Sequence, residues 1–315
     1  MKNIKRLIVA DTKEMSRAEW LEFRRQGIGG SDAATVIGMN PWSSRYQLWA
    51  DKKGLLPERP DTEAMRTGRD LEEYVAQRFQ SQTGKKVRRL NAILRNIEYP
   101  WAIANIDRDI VGEDAGLECK TTSDYSVKRY GSQDFPEKYY CQCMHYMAVT
   151  GAKKWYLAVL LLTSREVYIY ELDRNQDEID ALMTAEREFY QVHMLMGIEP
   201  APDGSRASTE TINELNPESN GAEVQLLGMD TILNRIARLK TEIDRLSDEK
   251  AEAENVLKQH LGAFERGSSD KYIVTWKNQD RKTFDSKKYI AENPGDYSSY
   301  YKTTTSRILK IREIS

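Results

Sequence analysis

The segment WAIANIDRDIVGEDAGLECKTTS (residues 101–123) brings acidic and basic side chains into one predicted hairpin. Asp107 lies in an apolar, strand-like run, a glycine-bearing turn follows, and Glu118-Cys119-Lys120 comes next. Side chains alternate along a strand, so Glu118 and Lys120 point to the same face. Folding the hairpin back places Asp107 near Glu118. Two carboxylates and one ammonium around a single point suit the binding of Mg²⁺ against a phosphodiester and the orientation of an attacking water.

The acid-x-Lys spacing is not specific by itself, because it recurs in a chain in which 30% of the residues are charged. Only the copy at Glu118 follows a hairpin whose first arm carries another acid and whose flanks are strand-forming. The simpler interpretation is a surface hairpin with a cross-strand ion pair, which contributes little to stability. Residues elsewhere in the chain must decide between the two.

Three further residues bear on that choice. Glu72, on a predicted helix, would add a third carboxylate to an oxygen-rich shell for one or two divalent cations, or is a solvated helix acid. Gln142 and Tyr146 are spaced i,i+4 and share one helix face. Together they could hydrogen-bond a phosphate or orient Lys120, or Tyr146 belongs to the core and Gln142 to its rim. His145 lies off that face, and we expect it to be structural.

Composition limits the function classes. At 315 residues, the chain is long enough for one large domain and a smaller appendage. The net charge of −2 argues mildly against holding nucleic acid by bulk electrostatics. Residues 266–315 nevertheless carry 11 Lys/Arg against 6 Asp/Glu, a balance of +5. No apolar run is long enough to span a membrane. The three cysteines have no metal-ligand spacing, which favours reduced thiols in a cytosolic protein.

Residues 1–196 alternate helical and strand-like patterns, which predicts an α/β or α+β sandwich. Ser16 and Glu19 form a capping box, and Ser31 or Asp32 is expected to cap the helix that follows the glycine-rich turn. Helices are predicted at 16–25, 33–38, 44–53, 62–83 and 177–196, with a strand hairpin at 155–162 and 167–172.

The remaining third of the chain has a different pattern. Residues 197–221 are rich in Pro, Gly, Ser and Asn and are predicted to be a linker. Residues 222–315 would form a helical, coiled segment and a small α+β appendage. Apolar residues alternate at spacings of three and four from Met229 to Leu246, which indicates a coiled-coil seam or one arm of a helical hairpin. Strands are predicted at 272–276 and 307–314.

Five motifs in order resemble the lambda-exonuclease/YqaJ-type viral recombinase family of the PD-(D/E)XK nuclease superfamily, over about residues 15–196. They are RRQGIGGSD, Gly68-x-x-x-Glu72, Asp107, Glu118-x-Lys120 and Gln142-x-x-x-Tyr146. The resemblance implies a restriction-endonuclease-like core, with a central mixed sheet flanked by helices. It also implies a Mg²⁺-dependent nuclease that digests linear double-stranded DNA from 5′ ends as a ring-shaped homo-oligomer, such as a trimer. The expected location is the cytoplasm of a bacterial host.

The resemblance also assigns metal ligands. Asp107 and Glu118, with the backbone carbonyl of Cys119, would bind the metal, and Glu72 would support the second of two Mg²⁺ ions, for which Mn²⁺ could substitute. The family's usual Pro-Asp is Ile106-Asp107 here.

The same resemblance implies roles around the DNA. Trp20-x-x-x-Arg24, followed by Ser31, is similar to the family's 5′-phosphate pocket, in which Arg24 would contact the phosphate as a charged fork. Arg25 competes with Arg24 for this role, and spacing does not decide between them. Tyr146 is a further candidate for DNA contact.

Lys120 would position or activate the attacking water, and Gln142 would steady that group. The leading hypothesis is a 5′-to-3′ exonuclease that leaves 3′ single strands for a single-strand annealing protein. An endonuclease or nickase with the same metal centre is the alternative among enzymes. From a different class, the chain could be a non-catalytic DNA-binding or assembly module, although such a module has no need to concentrate acids beside DNA.

Overall fold

The chain divides into two compact units, Met1–Pro217 and Glu218–Ser315, which are described separately. The structure is a computed structural model. In the first unit, mixed sheets are flanked by helices, which confirms the predicted fold class. The residues that the structure describes are 6–123, 135–295, 297–302 and 306–312.

Short polar residues cap three of the four helices described first, those that begin at Arg17, Arg45 and Glu63. The Ser16 hydroxyl accepts the Glu19 N–H while the Glu19 carboxylate accepts the Ser16 N–H, which completes a capping box. Ser44 and Thr62 accept backbone N–H groups in the same way. Gly84 ends the longest of these helices with φ of 71°. The helices are α1 (Arg17–Arg25), α2 (Gly30–Val36), α3 (Arg45–Lys52) and α4 (Glu63–Thr83).

Helix α2 begins earlier than the sequence predicted. Its N-cap is Gly29, so Ser31 and Asp32 lie inside the first turn and do not cap it. The reason is that the Asp32 carboxylate reaches back to accept the Gly29 N–H at 2.9 Å. Asp32 is buried, so its carboxylate faces partners in the interior of the unit.

Two sheets carry the strands of the first unit. The strands are β1 (Arg6–Asp11), β2 (Ile28–Gly29), β3 (Val87–Arg88), β4 (Ala92–Asn96), β5 (Ala102–Ala104), β6 (Arg108–Ile110), β7 (Ala115–Thr122), β8 (Lys154–Leu161) and β9 (Val167–Asp173). The sheet orders are β1-β4-β5-β2 and β3-β6-β7-β8-β9. Strands β7 and β8 run parallel, and β8 is buried from Trp155 to Leu161, as expected for a parallel pair with both faces covered.

Asp107 lies in the connection from one sheet to the other, directly before β6. Strand β6 pairs antiparallel with β7, and Arg108 lies opposite Leu117 in that register. Asp107 comes one residue before Arg108, and Glu118 comes one residue after Leu117. In an antiparallel pair these two residues lie beside each other. The predicted convergence is therefore produced by a change of sheet, whereas the sequence suggested one continuous strand.

The two faces of β7 have different covers. On one face, Leu117 and Cys119 pack with Val75 and Phe79 of α4. The other face meets a helix in which every residue from Cys141 to Val149 is buried. A helix that is buried all round belongs to the core, and any polar residue on it needs a partner there. This helix is α5 (Glu137–Thr150).

The predicted linker at 197–221 contains a helix. That helix packs against α3, and the Ser208 hydroxyl donates to Ser44 Oγ at 2.9 Å. Ser208 and Thr211 are fully buried, so a segment rich in small polar residues is part of the first unit. The elements after β9 are α6 (Gln176–Phe189), a π-helical turn (Tyr190–Leu195) and α7 (Arg206–Leu215).

The second unit contains the predicted long helix, which runs unbroken past Lys250. The strand predicted at 272–276 is confirmed in its central three residues. The strand predicted at 307–314 is wrong for residues 307–312, which are not in a strand, and residues 313 and 314 lie outside the described residues. The elements are α8 (Asp230–Leu261), β10 (Arg266–Ser268), β11 (Ile273–Thr275), α9 (Ser286–Glu292) and a 3₁₀ turn (Ser298–Tyr300). Within the described part of the chain, none of the helices is sufficiently long and apolar to cross a membrane.

Candidate active site

Strand β7 and helix α5 meet at the carboxylate of Glu118. Glu118 is 2% exposed, and its Oε1 accepts hydrogen bonds from Lys120 Nζ at 2.5 Å and from Gln142 Nε2 at 2.6 Å. Two residues apart on a strand, Glu118 and Lys120 share a face, as the alternation predicted. The structure therefore brings three of the four predicted catalytic side chains into direct contact.

The second oxygen of Glu118 has a different environment. Oε2 is buried and has no hydrogen-bond partner among the described residues. Leaving a buried acceptor without a partner costs about 1–3 kcal/mol, and more when the group is charged. A cation bound to Oε2 would remove that cost, because carboxylate oxygens are the preferred ligands of hard divalent metals.

Asp107 supplies the neighbouring carboxylate. Its Oδ2 accepts the backbone N–H of Cys119 at 2.8 Å, which fixes the side chain against β7. The loss of solvent and then the adjacent charge of Glu118 raise the pKa of Asp107 well above its usual range. Two carboxylates that disfavour each other's charge form a site whose repulsion a divalent cation would relieve. Asp107 and Glu118 thus fit the ligand set that a metal requires.

Lys120 is a cation in this environment. Burial alone would lower the pKa of Lys120, but the nearby Glu118 and Asp107 outweigh it, and the pKa is raised above the usual value. The ammonium also lies 5.5 Å from the centroid of the Tyr139 ring. Lys120 therefore offers hydrogen-bond donors and has no free lone pair.

Glu72 does not join the two acids. Its Oε1 accepts hydrogen bonds from Arg108 and, at 2.8 Å, from Arg89. Among the described residues there is no group of three or more His, Cys, Asp or Glu side chains placed to hold a metal ion together. The physical reason is that α4 covers the face of β7 opposite Glu118, where two guanidinium groups compensate the Glu72 charge.

Arg108 is a residue that the sequence analysis missed. It is 2% exposed and donates to Glu72, to Glu73 Oε2 at 2.8 Å and to the Asp107 carbonyl at 2.7 Å. A buried guanidinium requires such partners. Strand alternation could have found it, since alternation along β6 places Arg108 on the same face as Ile110, which belongs to the core cluster of Val75 and Leu117. Arg108 ties the backbone of Asp107 to α4.

Gln142 and Tyr146 form the other wall of the site. Gln142 uses one amide N–H for Glu118 and donates the other to the Tyr146 hydroxyl at 2.8 Å. Tyr146 is buried, so both residues belong to the interior. A Cβ at Gly30 would lie 2.5 Å from Tyr146 Cε1, so only glycine allows α2 to approach this ring.

His145 has a structural role, as the sequence predicted. Its Nδ1 pairs with Glu186 Oε1 at 2.8 Å, and its Nε2 donates to the Ile103 carbonyl at 2.9 Å. Both side chains are fully buried. This pair joins α5 to α6 and takes no part in the carboxylate site.

Arg24 lies in a second polar group at the start of α2. Its Nη2 donates to Ser31 Oγ at 3.0 Å and to Asp32 Oδ1 at 3.1 Å, and its guanidinium lies 5.5 Å from the Trp20 ring centroid. Arg25 points elsewhere, with Glu22 Oε2 at 3.9 Å from its guanidinium. The two neighbouring arginines, which spacing could not distinguish, therefore have different partners in the structure.

Asp32 holds this group together. Its Oδ2 lies 2.6 Å from Lys52 Nζ, and Lys52 also donates to the carbonyls of Arg24 and Gly27 at 2.7 Å each. Burial alone would raise the pKa of Asp32, but the charges of Lys52 and Arg24 lower it well below its usual range. From the sequence, Asp32 was predicted only as a possible helix cap. Lys52 lies on the apolar face of α3, and this position in the sequence pattern could have identified it as a buried lysine.

One cleft connects the two polar groups. Its volume is about 220 Å³. Arg25 is not among the residues that line it. The lining includes Asp107, Gln142 and Tyr146 from the carboxylate site and Trp20, Arg24 and Ser31 from the second group.

Comparison with known proteins gives one family. Residues 19–153 match the YqaJ-like viral recombinase domain. The protein described as "Uncharacterized protein YqaJ" of Bacillus subtilis (strain 168) is 39% identical over 313 residues, which is 98% of each chain. The alkaline exonuclease LHK-Exo from Laribacter hongkongensis is 19% identical, with a TM-score of 0.48 over 57% of this chain and 93% of its own. A phage-related exonuclease from Haemophilus somnus 129PT is 12% identical, with a TM-score of 0.41 over 56% and 99%.

The Asp32 ion pairs predict acid-sensitive stability. Because the pKa of Asp32 is lowered by folding, its contribution is present at neutral pH and is lost as the pH falls below about 4. Asp32→Asn should reduce the free energy of unfolding at pH 7 by about 3–5 kcal/mol, since it leaves buried Lys52 without its counter-charge. Urea unfolding from pH 7 to pH 2 measures both effects.

The exposed acid Asp70 provides the matched control. Asp70→Asn should change stability by less than about 0.5 kcal/mol at every pH. The advantage of the unsubstituted protein over Asp32→Asn should shrink toward pH 2. A difference that stays constant over this range would contradict the assignment of the lowered pKa to Asp32.

Proposed function

The chain belongs to the YqaJ-like viral recombinase family, and from that premise we propose that it is a metal-dependent deoxyribonuclease. The observation that carries the proposal is the state of Glu118. One of its oxygens accepts from Lys120 and Gln142, and the other is buried beside Asp107 with no hydrogen-bond partner in the part of the chain that the structure describes. A module that only binds DNA gains nothing from such a carboxylate, because acids repel the phosphate backbone.

Mg²⁺ is the proposed cofactor, with Mn²⁺ as a substitute. Asp107, Glu118 and the backbone carbonyl of Cys119 would hold it, as the chemistry of this oxygen donor set favours. A pair of such ions would lower the pKa of the attacking water and stabilise the leaving 3′-oxygen. For Glu72 to take part, it would have to exchange its contacts with Arg108 and Arg89 for the second ion.

The protein's own side chains would orient the reactants. Lys120 carries a proton, so we assign it to positioning the attacking water and a phosphate oxygen by donating hydrogen bonds. Gln142 fixes the Glu118 carboxylate in one rotamer by donating to it. The Tyr146 hydroxyl holds Gln142 in turn. Removal of a proton from the water is left to the carboxylates or to solvent.

The cleft supports a 5′-to-3′ direction on linear double-stranded DNA. A 5′-phosphate bound by Arg24 and Ser31 would place the next phosphodiester along the cleft toward Asp107. Arg24 retains hydrogen-bonding capacity for this role, because only one of its two terminal nitrogens donates to Ser31 and Asp32. The geometry favours Arg24 over Arg25 as the phosphate ligand.

Further parts of the proposal concern the assembly. A net charge of −2 suits enclosure of the duplex by a ring-shaped homo-oligomer, in which topology replaces bulk attraction. The basic segment KKVRR (residues 85–89) contacts Glu72 of α4 through Arg89, and it could bind the DNA backbone. The 3′ single strand left by digestion would pass to a single-strand annealing protein.

The position of Lys120 beside Glu118 predicts a direct role in catalysis. Lys120→Ala should lower the rate of Mg²⁺-dependent digestion of linear duplex DNA about 10²–10⁴-fold, because it removes the donor that positions the water. Lys282→Ala, in another acid-x-Lys sequence of the chain, is the matched control and should retain full activity.

The same assay separates the alternatives. Closed circular plasmid should remain intact, and nicking of it by the unsubstituted protein would favour the endonuclease instead. Digestion that Lys120→Ala and Glu118→Ala leave unchanged would contradict the assigned site.

The position of Arg24 in the cleft predicts a preference for one kind of DNA end. The unsubstituted protein should prefer a 5′-phosphate to a 5′-hydroxyl, and Arg24→Gln should reduce that preference by roughly 10–100-fold, the equivalent of about 1.5–3 kcal/mol for a charged hydrogen bond. Arg25→Gln, which changes a neighbouring guanidinium outside the cleft, should keep the preference. Rates on duplexes with defined ends measure it. Loss of the preference in Arg25→Gln alone would assign the phosphate to Arg25.

A further inference from the structure

Helix α8 carries an apolar seam that the second unit leaves exposed. The seam consists of Met229, Ile232, Ile236, Leu239, Ile243 and Leu246, and these side chains are 39–61% exposed. The helix has 32 residues and buries only Leu261 within the described part of the chain. Long helices in water are stabilised mainly by packing of their apolar face, so the seam requires a cover.

We propose that a second copy of this chain covers the seam by forming an antiparallel coiled coil with it. With a two-fold axis midway between Ile236 and Leu239, each a position of one helix meets a d position of the other. All six seam residues are then paired in consecutive layers. The pairs are Ile236 with Leu239, Ile232 with Ile243, and Met229 with Leu246, each made twice across the axis.

The charges beside the seam select this orientation. In the antiparallel pair, Arg235 of each copy lies opposite Glu242 of the other, which gives two opposite-charge contacts. In a parallel pair, Arg235 would lie opposite Lys240, and Glu249 opposite Glu254. Like charges at these flanking positions disfavour a coiled coil, so the parallel arrangement is selected against.

The position of the axis is also constrained. Moving it by half a heptad toward the C-terminus would place Glu242 opposite Glu242 and Lys240 opposite Lys240. The length of the seam agrees with the proposed axis. Because α8 begins at Asp230, the start of one helix lies opposite Leu246 of the other, and the overlap between the two copies ends there. The next core position is Lys250, where the apolar pattern stops. The apolar residues of the seam therefore extend over the same segment that this self-pairing would bury.

Sedimentation equilibrium of the full chain tests the association. Ile236→Glu with Leu239→Glu should weaken self-association by more than an order of magnitude, because both changes place charge in the central layers. Arg235→Glu and Glu242→Arg should each weaken it several-fold, and the double exchange should restore it. Residues 235 and 242 are two helical turns apart, so restoration would come from contact between copies.

Disulfide trapping tests the orientation independently of any contact made by the first unit. A mixture of Ile232→Cys and Ile243→Cys chains, distinguished by a size tag, should form the mixed disulfide, because the pair meets across one layer. Ile232→Cys alone should form none. The native cysteines are buried in the first unit and do not compete. Ile232→Cys homodisulfides, or identical sedimentation of the seam variants and the unsubstituted chain, would overturn the proposal.

Discussion

The arrangement of the first unit depends on one buried carboxylate. Lys120 and Gln142 donate to one oxygen of the Glu118 carboxylate, and its second oxygen has no hydrogen-bond partner among the described residues. A charge in this position is costly to bury, and folding tolerates it where something else is to be bound. The surrounding elements supply that setting: β7 presents the acid, α5 presents the amide, and the change of sheet before β6 delivers Asp107.

Much of this could be predicted from the sequence because it follows from periodicity. Strand alternation places Glu118 and Lys120 on one face, and i,i+4 spacing places Gln142 and Tyr146 on one helix face, and both arrangements are present. The contacts that could not be predicted join residues far apart in the chain. No local pattern shows that Arg108 and Arg89 compensate Glu72, or that Lys52 meets Asp32, since each contact joins separate elements. The helix at 206–215 was missed because a segment rich in small polar residues is typical of a linker until its packing against α3 is seen.

The two units use hydrophobicity differently. In the first unit, apolar residues surround a small polar site, so that charges there interact through a medium of low polarity. In the second, α8 exposes a regular apolar seam, and its order suits an intermolecular partner better than an internal core. Catalysis and assembly would then be separable, with the metal site in one unit and a pairing surface in the other.

Diffraction from crystals soaked in Mn²⁺, recorded at the manganese absorption edge, tests the central claim most directly. The account predicts an anomalous peak within coordination distance of Glu118 Oε2 and the Asp107 carboxylate, at about 2.0–2.6 Å from each, the range typical of hard divalent cations. Glu118→Gln crystals should lose the peak while the fold is retained. A Mn²⁺ ion bound elsewhere, with both carboxylates free of metal, would contradict it.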